Sequence, residues 1–393
     1  MLSICCYFQV HQPFRLSKDY SFFDIGKNHL YEDEALNKQI CLKVARKSYL
    51  KANNMMLKLI KKYQGKFRVS YSISGMALEQ FELYMPDVIT SFQELVKTGC
   101  VELISETYYH SLAFIYSPKE FHKQVELHRE KIKSLFNYES ECFRNTELIY
   151  NDDLALAVEK MGYKAVITEG TEKVLFDQSP NFIYQPSVCN KIKLLLRNYR
   201  FSDDIAFRYS DQSWNEYPLT TEKYAKWLIH HKEDDCINLF MDYETFGEHQ
   251  WEDSGIFQFF ENLPERLFNE GIQFRTPSEL AQSCNSRGKI DVPNFISWAD
   301  TERDTSAWRG NHMQNSSFED LYALEEKVLS SNDKALIHQW RKLQTSDHFY
   351  YMCTKRYNDG CVHDYFNPYN SPHDAYIIYS NVLNDFSILI DSQ

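Results

Sequence analysis

The chain has 393 residues, room for one large α/β domain and a smaller appendage, and 43% of them are apolar, enough for a real core. A formal charge of −12, with no Lys/Arg block interleaved with aromatics, argues against a nucleic-acid partner and suits a neutral polyol. No apolar run approaches ~20 residues, so no transmembrane helix and no membrane partner is expected, and the ten cysteines show neither a small-scaffold disulfide pattern nor a CxxC pair for zinc.

The N-terminus runs into Leu2-Ser-Ile-Cys-Cys-Tyr-Phe-Gln-Val-His11 without a basic leader or a small-residue cleavage site. It reads as a first strand and not as a signal peptide, and a cytoplasmic location is expected. Short apolar or β-branched runs follow at 67–74, 101–105, 142–145, 164–168, 191–197 and 236–242. Between them lie helical patterns at 35–63, 76–98, 118–136, 152–161 and 221–231. This alternation predicts an α/β fold, an incomplete seven-stranded parallel (β/α) barrel over residues 1–285. A doubly wound open sheet is the alternative, but no Gly-x-Gly-x-x-Gly marks a dinucleotide site. Past residue 285 the strand signal fades. Patterns at 317–345 and 373–390, joined by an irregular aromatic segment at 357–370, predict a helical subdomain over 286–393.

Two strand ends carry acids. The strand at 236–242 closes on Phe240-Met-Asp242-Tyr-Glu244-Thr-Phe-Gly-Glu-His249, and the one at 142–145 leads into Arg144-Asn-Thr-Glu147. Barrel enzymes present their catalytic groups at such strand ends, and one acid on each of two strands is the minimum for glycoside hydrolysis. A plainer reading makes Glu147 a helix-start acid, yet Asp152 and Asp153 already fill that role. For Asp242 the plainer reading is a turn-forming carboxylate. Glu244 is expected to point away from the cleft, because Gly247 suggests that the chain is already turning there.

His11 after the first strand and His110 after the third offer imidazoles on the same rim. Glu102, with Glu106 beyond it, lies along the third strand and faces into or out of the barrel. His11, His110 and Asp242 are also conceivable ligands of a deacetylase-like metal site, although the HxxxH spacing that anchors such sites is missing from the rim loops. His363-Asp364 and His373-Asp374 read more simply as surface residues. The segment 296–311 holds Trp298, Trp308, Asp300 and Arg303, too much chemistry for a plain linker. Its stretch at 299–311 is expected to fold over the barrel mouth with Trp308 against a sugar ring; the alternative is an interface that buries both Trp298 and Trp308. The 15% aromatic content fits an aromatic core with a minority of rings lining a cleft.

Phe8-Gln-Val-His-Gln-Pro13, Gly99-Cys-Val-Glu102, Phe143-Arg-Asn-Thr-Glu147, Met241-Asp-Tyr-Glu-Thr-Phe-Gly247 and Ala299-Asp-Thr-Glu-Arg-Asp-Thr-Ser-Ala-Trp308, in that order, resemble the five motifs of glycoside hydrolase family 57, most closely its α-amylase branch. The resemblance implies an incomplete seven-stranded barrel followed by a helical bundle, acting on α-1,4-linked glucans with retention and without metal or organic cofactor. It makes Glu147 the nucleophile and Asp242 the general acid/base, with His11, Glu102, His110 and Arg144 as binding or orienting groups and Trp308 as a ring closing over the sugar. Arg144 is expected to hold the Glu147 carboxyl ionised, and an aromatic pocket with Phe240 and Tyr243 to favour a proton on Asp242. Retention requires the two carboxyl groups about 5–5.5 Å apart on one face. A 4-α-glucanotransferase shares this chemistry, a glucan-binding protein with a silent site would keep the scaffold, and oligomeric state leaves no sequence signature.

Overall fold

Every residue of β1 (Ser3–Val10) is buried in a computed structural model that describes residues 1–355 and 367–392. A strand covered on both faces reads as a continuous apolar run, which is why it was visible in the sequence. Six further barrel strands run parallel to it or to one another, β2 (Val69–Ile73), β3 (Val101–Leu103), β4 (Cys142–Arg144), β5 (Ala165–Glu169), β6 (Lys193–Arg197) and β7 (Cys236–Asp242), while the two-residue strands Gln273–Phe274, on β1, and Gln185–Pro186 with Lys289–Ile290 add short parallel pairings. They form two ladders, ordered β3-β2-β1-β7 and β4-β5-β6. β1 pairs with β7 from Ser3↔Cys236 to Gln9↔Asp242, which brings the end of β7 beside the end of β1.

The two ladders meet at two seams. At one, Ser105 N–H donates to Cys142 O at 3.0 Å and Arg144 N–H to Ser105 O at 2.9 Å. At the other, Asn198 N–H reaches Asn238 O at 2.9 Å, and the Asn238 amide and the Arg197 Nε each donate to a backbone carbonyl across the gap at 2.8 Å. Seven parallel strands therefore curve round one core without merging into one continuous ladder, the incomplete barrel expected from the sequence. Their C-terminal ends share one rim.

Helices differ from the sequence pattern where local chemistry interrupts it. The run at 76–98 is two helices, Gly75–Tyr84 and Pro86–Val96, because Pro86 lacks the N–H to continue the first and suits the first position of the second. The run at 35–63 holds, but a π-turn, Ala45–Tyr49, interrupts it. Past the barrel the pattern at 317–345 is not one helix. His312–Ala323, Glu325–Ser330 and Lys334–Lys342 are separate, since Asn332 is left-handed and the Asp333 carboxylate caps a new start by accepting from Ala335 and Leu336 N–H. Ser306–Arg309, Ser346–Tyr350 and Pro372–Asp391 are the other helices among the described residues of this part. It has its own core, including Trp308, Phe318, Trp340, Phe349 and Phe386, and the loop after β1 adds Tyr20 and Tyr31 to it. The Asp385 carboxylate ties that loop down, accepting from Gly26 N–H and Tyr31 OH at 2.6 Å each. His363-Asp364 and most of the segment at 357–370 lie outside the described residues.

Candidate active site

At the rim, strands from both ladders deliver side chains to one cavity of about 130 Å³, lined by His11, His110, Glu147, Asp242, Glu244 and Trp298 among others. β4 ends at Arg144, and the 3-10 turn Thr146–Leu148 that follows aims Glu147 inward with φ 57° and ψ 25°. Leu148 and His110 are also left-handed. Non-glycine residues in that region store strain, and such strain gathers at functional sites.

Donors converge on the Glu147 carboxylate. Trp298 Nε1–H reaches Oε2 at 2.7 Å, and His110 Nε2 and Ser346 Oγ each lie 3.2 Å from Oε1. His110 Nδ1 meets Glu106 Oε2 at 3.1 Å. These two carboxylates overcome the burial of His110 and raise its pKa to about 9, so the ring is an imidazolium donating from both nitrogens at neutral pH. Burial opposes the charge on Glu106, but His110 and Arg144 outweigh it and bring its pKa down to about 2. His11 stacks on His110 with ring centroids 3.9 Å apart. Burial and the neighbouring His110 push its pKa down, and its Nδ1 and Nε2 contact Ser74 Oγ at 2.7 Å and Asp347 Oδ2 at 2.9 Å. Among the described residues no group of three or more His, Cys, Asp and Glu is arranged to hold a metal ion.

Asp242 ends β7 and lines the same cavity as Glu147. Glu244, expected to point away, lines the same cavity. The chain does turn there, in the 3-10 turn Tyr243–Thr245, but the turn leaves the Glu244 side chain in the cavity wall instead of carrying it away. Phe240 and Tyr243 turn from the cavity into the core instead, Phe240 edge-on to Tyr7 and Tyr243 stacked on Tyr49.

Three sequence-predicted residues lie elsewhere than the cavity wall. Glu102 is buried on β3, and its carboxylate accepts from the backbone N–H and hydroxyl of Ser278 at the start of helix Pro277–Ser283. It caps that helix instead of facing the rim, because the rim lies beyond Leu103; Glu106, past the strand end, is the acid that joins the site. Arg144 is fully buried behind the cavity, hydrogen-bonding Gln9 and Glu106 and holding its guanidinium 5.4 Å from the Trp298 ring centroid. Trp308 is fully buried in the helical core, 6.0 Å from Tyr350. Of the stretch at 299–311 only Ala299 and Asp300 line the cavity, and Trp298, just before it, is the ring that reaches the site. Ser346 and Asp347 escaped the sequence reading altogether, since an exposed-looking Ser-Asp pair in a short helix carries no spacing signal. Glu106 did carry one: it immediately follows Ser105, which bridges to Phe143 at the seam.

Residues 5–293 match the model of Glycosyl hydrolase family 57. Over 395 aligned residues the chain is 44% identical to the Methanocaldococcus jannaschii protein named "Putative alpha-amylase", covering 98% of this chain and 84% of that one. Its fold is similar to those of a GH57-type branching enzyme from Pyrococcus horikoshii (TM-score 0.68, 15% identity, 93% of this chain and 87% of that one) and the 4-alpha-glucanotransferase from Thermococcus litoralis (TM-score 0.68, 16% identity, 89% and 56%). The α-amylase AmyC from Thermotoga maritima is also similar (TM-score 0.63, 13% identity, 99% and 94%). The chain belongs to glycosyl hydrolase family 57. It is an α-amylase-like glycoside hydrolase.

Proposed function

We propose that this enzyme is a retaining α-glycosidase acting on α-1,4-glucans such as starch, glycogen and maltodextrins, with Glu147 as nucleophile and Asp242 as general acid/base. The observation that carries the reading is that acids from two ladders line one cavity, one of them wrapped by hydrogen-bond donors as an ionised nucleophile requires. Glu147 attacks the anomeric carbon while Asp242 gives its proton to the glycosidic oxygen, and the leaving chain departs with a free hydroxyl. In the second step Asp242, now a carboxylate, takes a proton from water. The water oxygen displaces Glu147 and restores both groups. A glucan hydroxyl in place of water makes the same enzyme a 4-α-glucanotransferase.

His11, His110 and Trp298 are the groups placed to orient the sugar, with Arg144 acting from behind. Residues 1–285 form the catalytic barrel in this reading, and 286–393 the helical unit that lends it Trp298, Ser346 and Asp347. No cofactor enters the chemistry. Seven of the nine free cysteines described are buried, which suits a reducing cytoplasm, and no helix among the described residues is long and apolar enough to cross a membrane.

Glu147→Gln and Asp242→Asn should each lower maltoheptaose cleavage by about three or more orders of magnitude with unfolding transitions near wild type. Activity within tenfold of wild type in either variant removes that residue from the mechanism. Running the wild-type assay with and without EDTA and separating the products distinguishes hydrolysis, transfer, a silent site and a metal-dependent deacylase.

A further inference from the structure

We propose that Glu244 is a positioning residue that shares one proton with Asp242, and that the π-turn at Ala45–Tyr49 exists to hold it there through Tyr49. The inference rests on the reading of Asp242 as the acid/base and extends it to a second carboxyl and a second structural element.

The geometry begins in the helical run that follows β1. A π-turn inserts one residue into an α-helix, changes which side chains face a neighbour, and is frequent at functional sites. Here three successive residues of the turn all meet the loop after β7. The Lys47 carbonyl oxygen lies 2.2 Å from where a Cβ on Gly247 would be, so only glycine, at φ +99°, allows the approach. Ser48 Oγ donates to Tyr243 O at 3.2 Å. The Tyr49 hydroxyl donates to Glu244 Oε1, and the Tyr49 ring stacks on Tyr243 at 6.2 Å. A straight α-helix would not present all three.

The loop after β1 closes the other side of Glu244. Gln12 Nε2 lies 3.3 Å from Glu244 Oε1, and Arg15 fixes Gln12 by donating to its amide oxygen at 3.1 Å. The titratable and charged groups around Glu244 are thus Tyr49 from the π-turn, Arg15 behind Gln12 from the loop after β1, and Asp242 and His249 from its own loop, with Glu147 and His110 also lining the cavity. Tyr49 and Gln12 both reach Oε1 and fix the carboxyl in the cavity wall.

Two carboxyls lining one cavity, one of them buried, do not both ionise readily. Burial and then the charge of Asp242 raise the Glu244 pKa to about 8, against the smaller opposing pull of Tyr49, its own backbone N–H and Gln12. The pair therefore holds one proton through neutral pH. That proton passes through Asp242 to the glycosidic oxygen in the first step, and the attacking water or sugar hydroxyl returns one to Asp242 in the second, so the pair ends unchanged. Glu244 touches no reacting atom in this account. It keeps Asp242 from losing its proton to solvent.

The test is the pH profile of kcat/KM on maltoheptaose for wild type, Glu244→Gln and Tyr49→Phe. Without its anionic partner Asp242 gives up its proton more easily, so Glu244→Gln should move the basic limb down by about one pH unit or more and leave the acid limb in place. Tyr49→Phe removes a donor that favours ionised Glu244 and should move the basic limb up, by less than about one unit. Opposite shifts are not what a purely structural role produces, and the tyrosine variant keeps the test alive should the glutamine variant fail to fold. A basic limb unmoved in both variants, or activity lost evenly at all pH values, overturns the proposal. Asp242→Asn separates the two levels: activity within tenfold of wild type there refutes the acid/base assignment itself, whatever the Glu244 result.

Discussion

Trp298 and Trp308 stand ten positions apart in one segment, and their surroundings divide their work. The Trp298 indole donates to Glu147 Oε2 at 2.7 Å beneath two guanidiniums, Arg144 and Arg197, at 5.4 and 5.7 Å from its ring, whereas Trp308 is wholly inside the helical core. Trp298→Phe keeps a ring and removes the donor to a charged acceptor, a loss of about 1.5–3 kcal/mol, and should lower kcat/KM about 10–100-fold with little change in Tm. Trp308→Ala should instead cost about 3–5 kcal/mol in denaturant unfolding and leave maltooligosaccharide affinity unaltered. The reverse pattern would return Trp308 to the cleft. Composition singled out this segment, but the ring expected at the sugar, Trp308, is the one that the structure buries, because the choice depends on a fold-back that local sequence does not encode. Glu102 misled for a similar reason. Its strand was legible, but its helix-capping partner Ser278 lies 176 residues away.

At the scale of elements, the short segment from Ser297 to Thr305 is pinned as much by charge as by packing. Arg303, left-handed at φ 49°, reaches Glu169 at 3.7 Å and Asp203 at 3.5 Å and hydrogen-bonds the Trp298 carbonyl. Arg197 bridges the same two acids at 3.0 and 2.5 Å, so the ends of β5 and β6 form a buried socket for the segment. Arg303→Met should destabilise the fold by about 1–3 kcal/mol and lower kcat by about tenfold or more, since a misplacement of about 1 Å near the chemistry is costly. Unchanged kcat with only a stability loss would show that the socket does not set the position of Trp298. All seven strands could be read from sequence because burial on both faces forces continuous apolar runs. The π-turn could not: Ala45-Arg-Lys-Ser-Tyr49 has ordinary helical composition, and what selects the extra residue is the loop packed against it. The split of the pattern at 317–345 was hidden because Asn332 and Asp333 are common in helices as well as at their ends.

For the whole molecule, the site exists only where barrel and helical part meet. The barrel supplies Glu147, Asp242, His11 and His110, while Ser346 and Asp347 from the helical part hold Glu147 and His11 at 3.2 and 2.9 Å. Which stretches of the chain share the cavity was not legible from their order, because contacts such as His11 to Asp347 span 336 residues. The central claim is that Glu147 and Asp242 cleave α-glucans by two successive displacements. The most direct test is proton NMR of the first turnovers on maltoheptaose, before mutarotation equilibrates the new reducing end. Two displacements predict that the α-anomer appears first and decays to the equilibrium mixture; initial release of the β-anomer would contradict the covalent intermediate and the role given to Glu147.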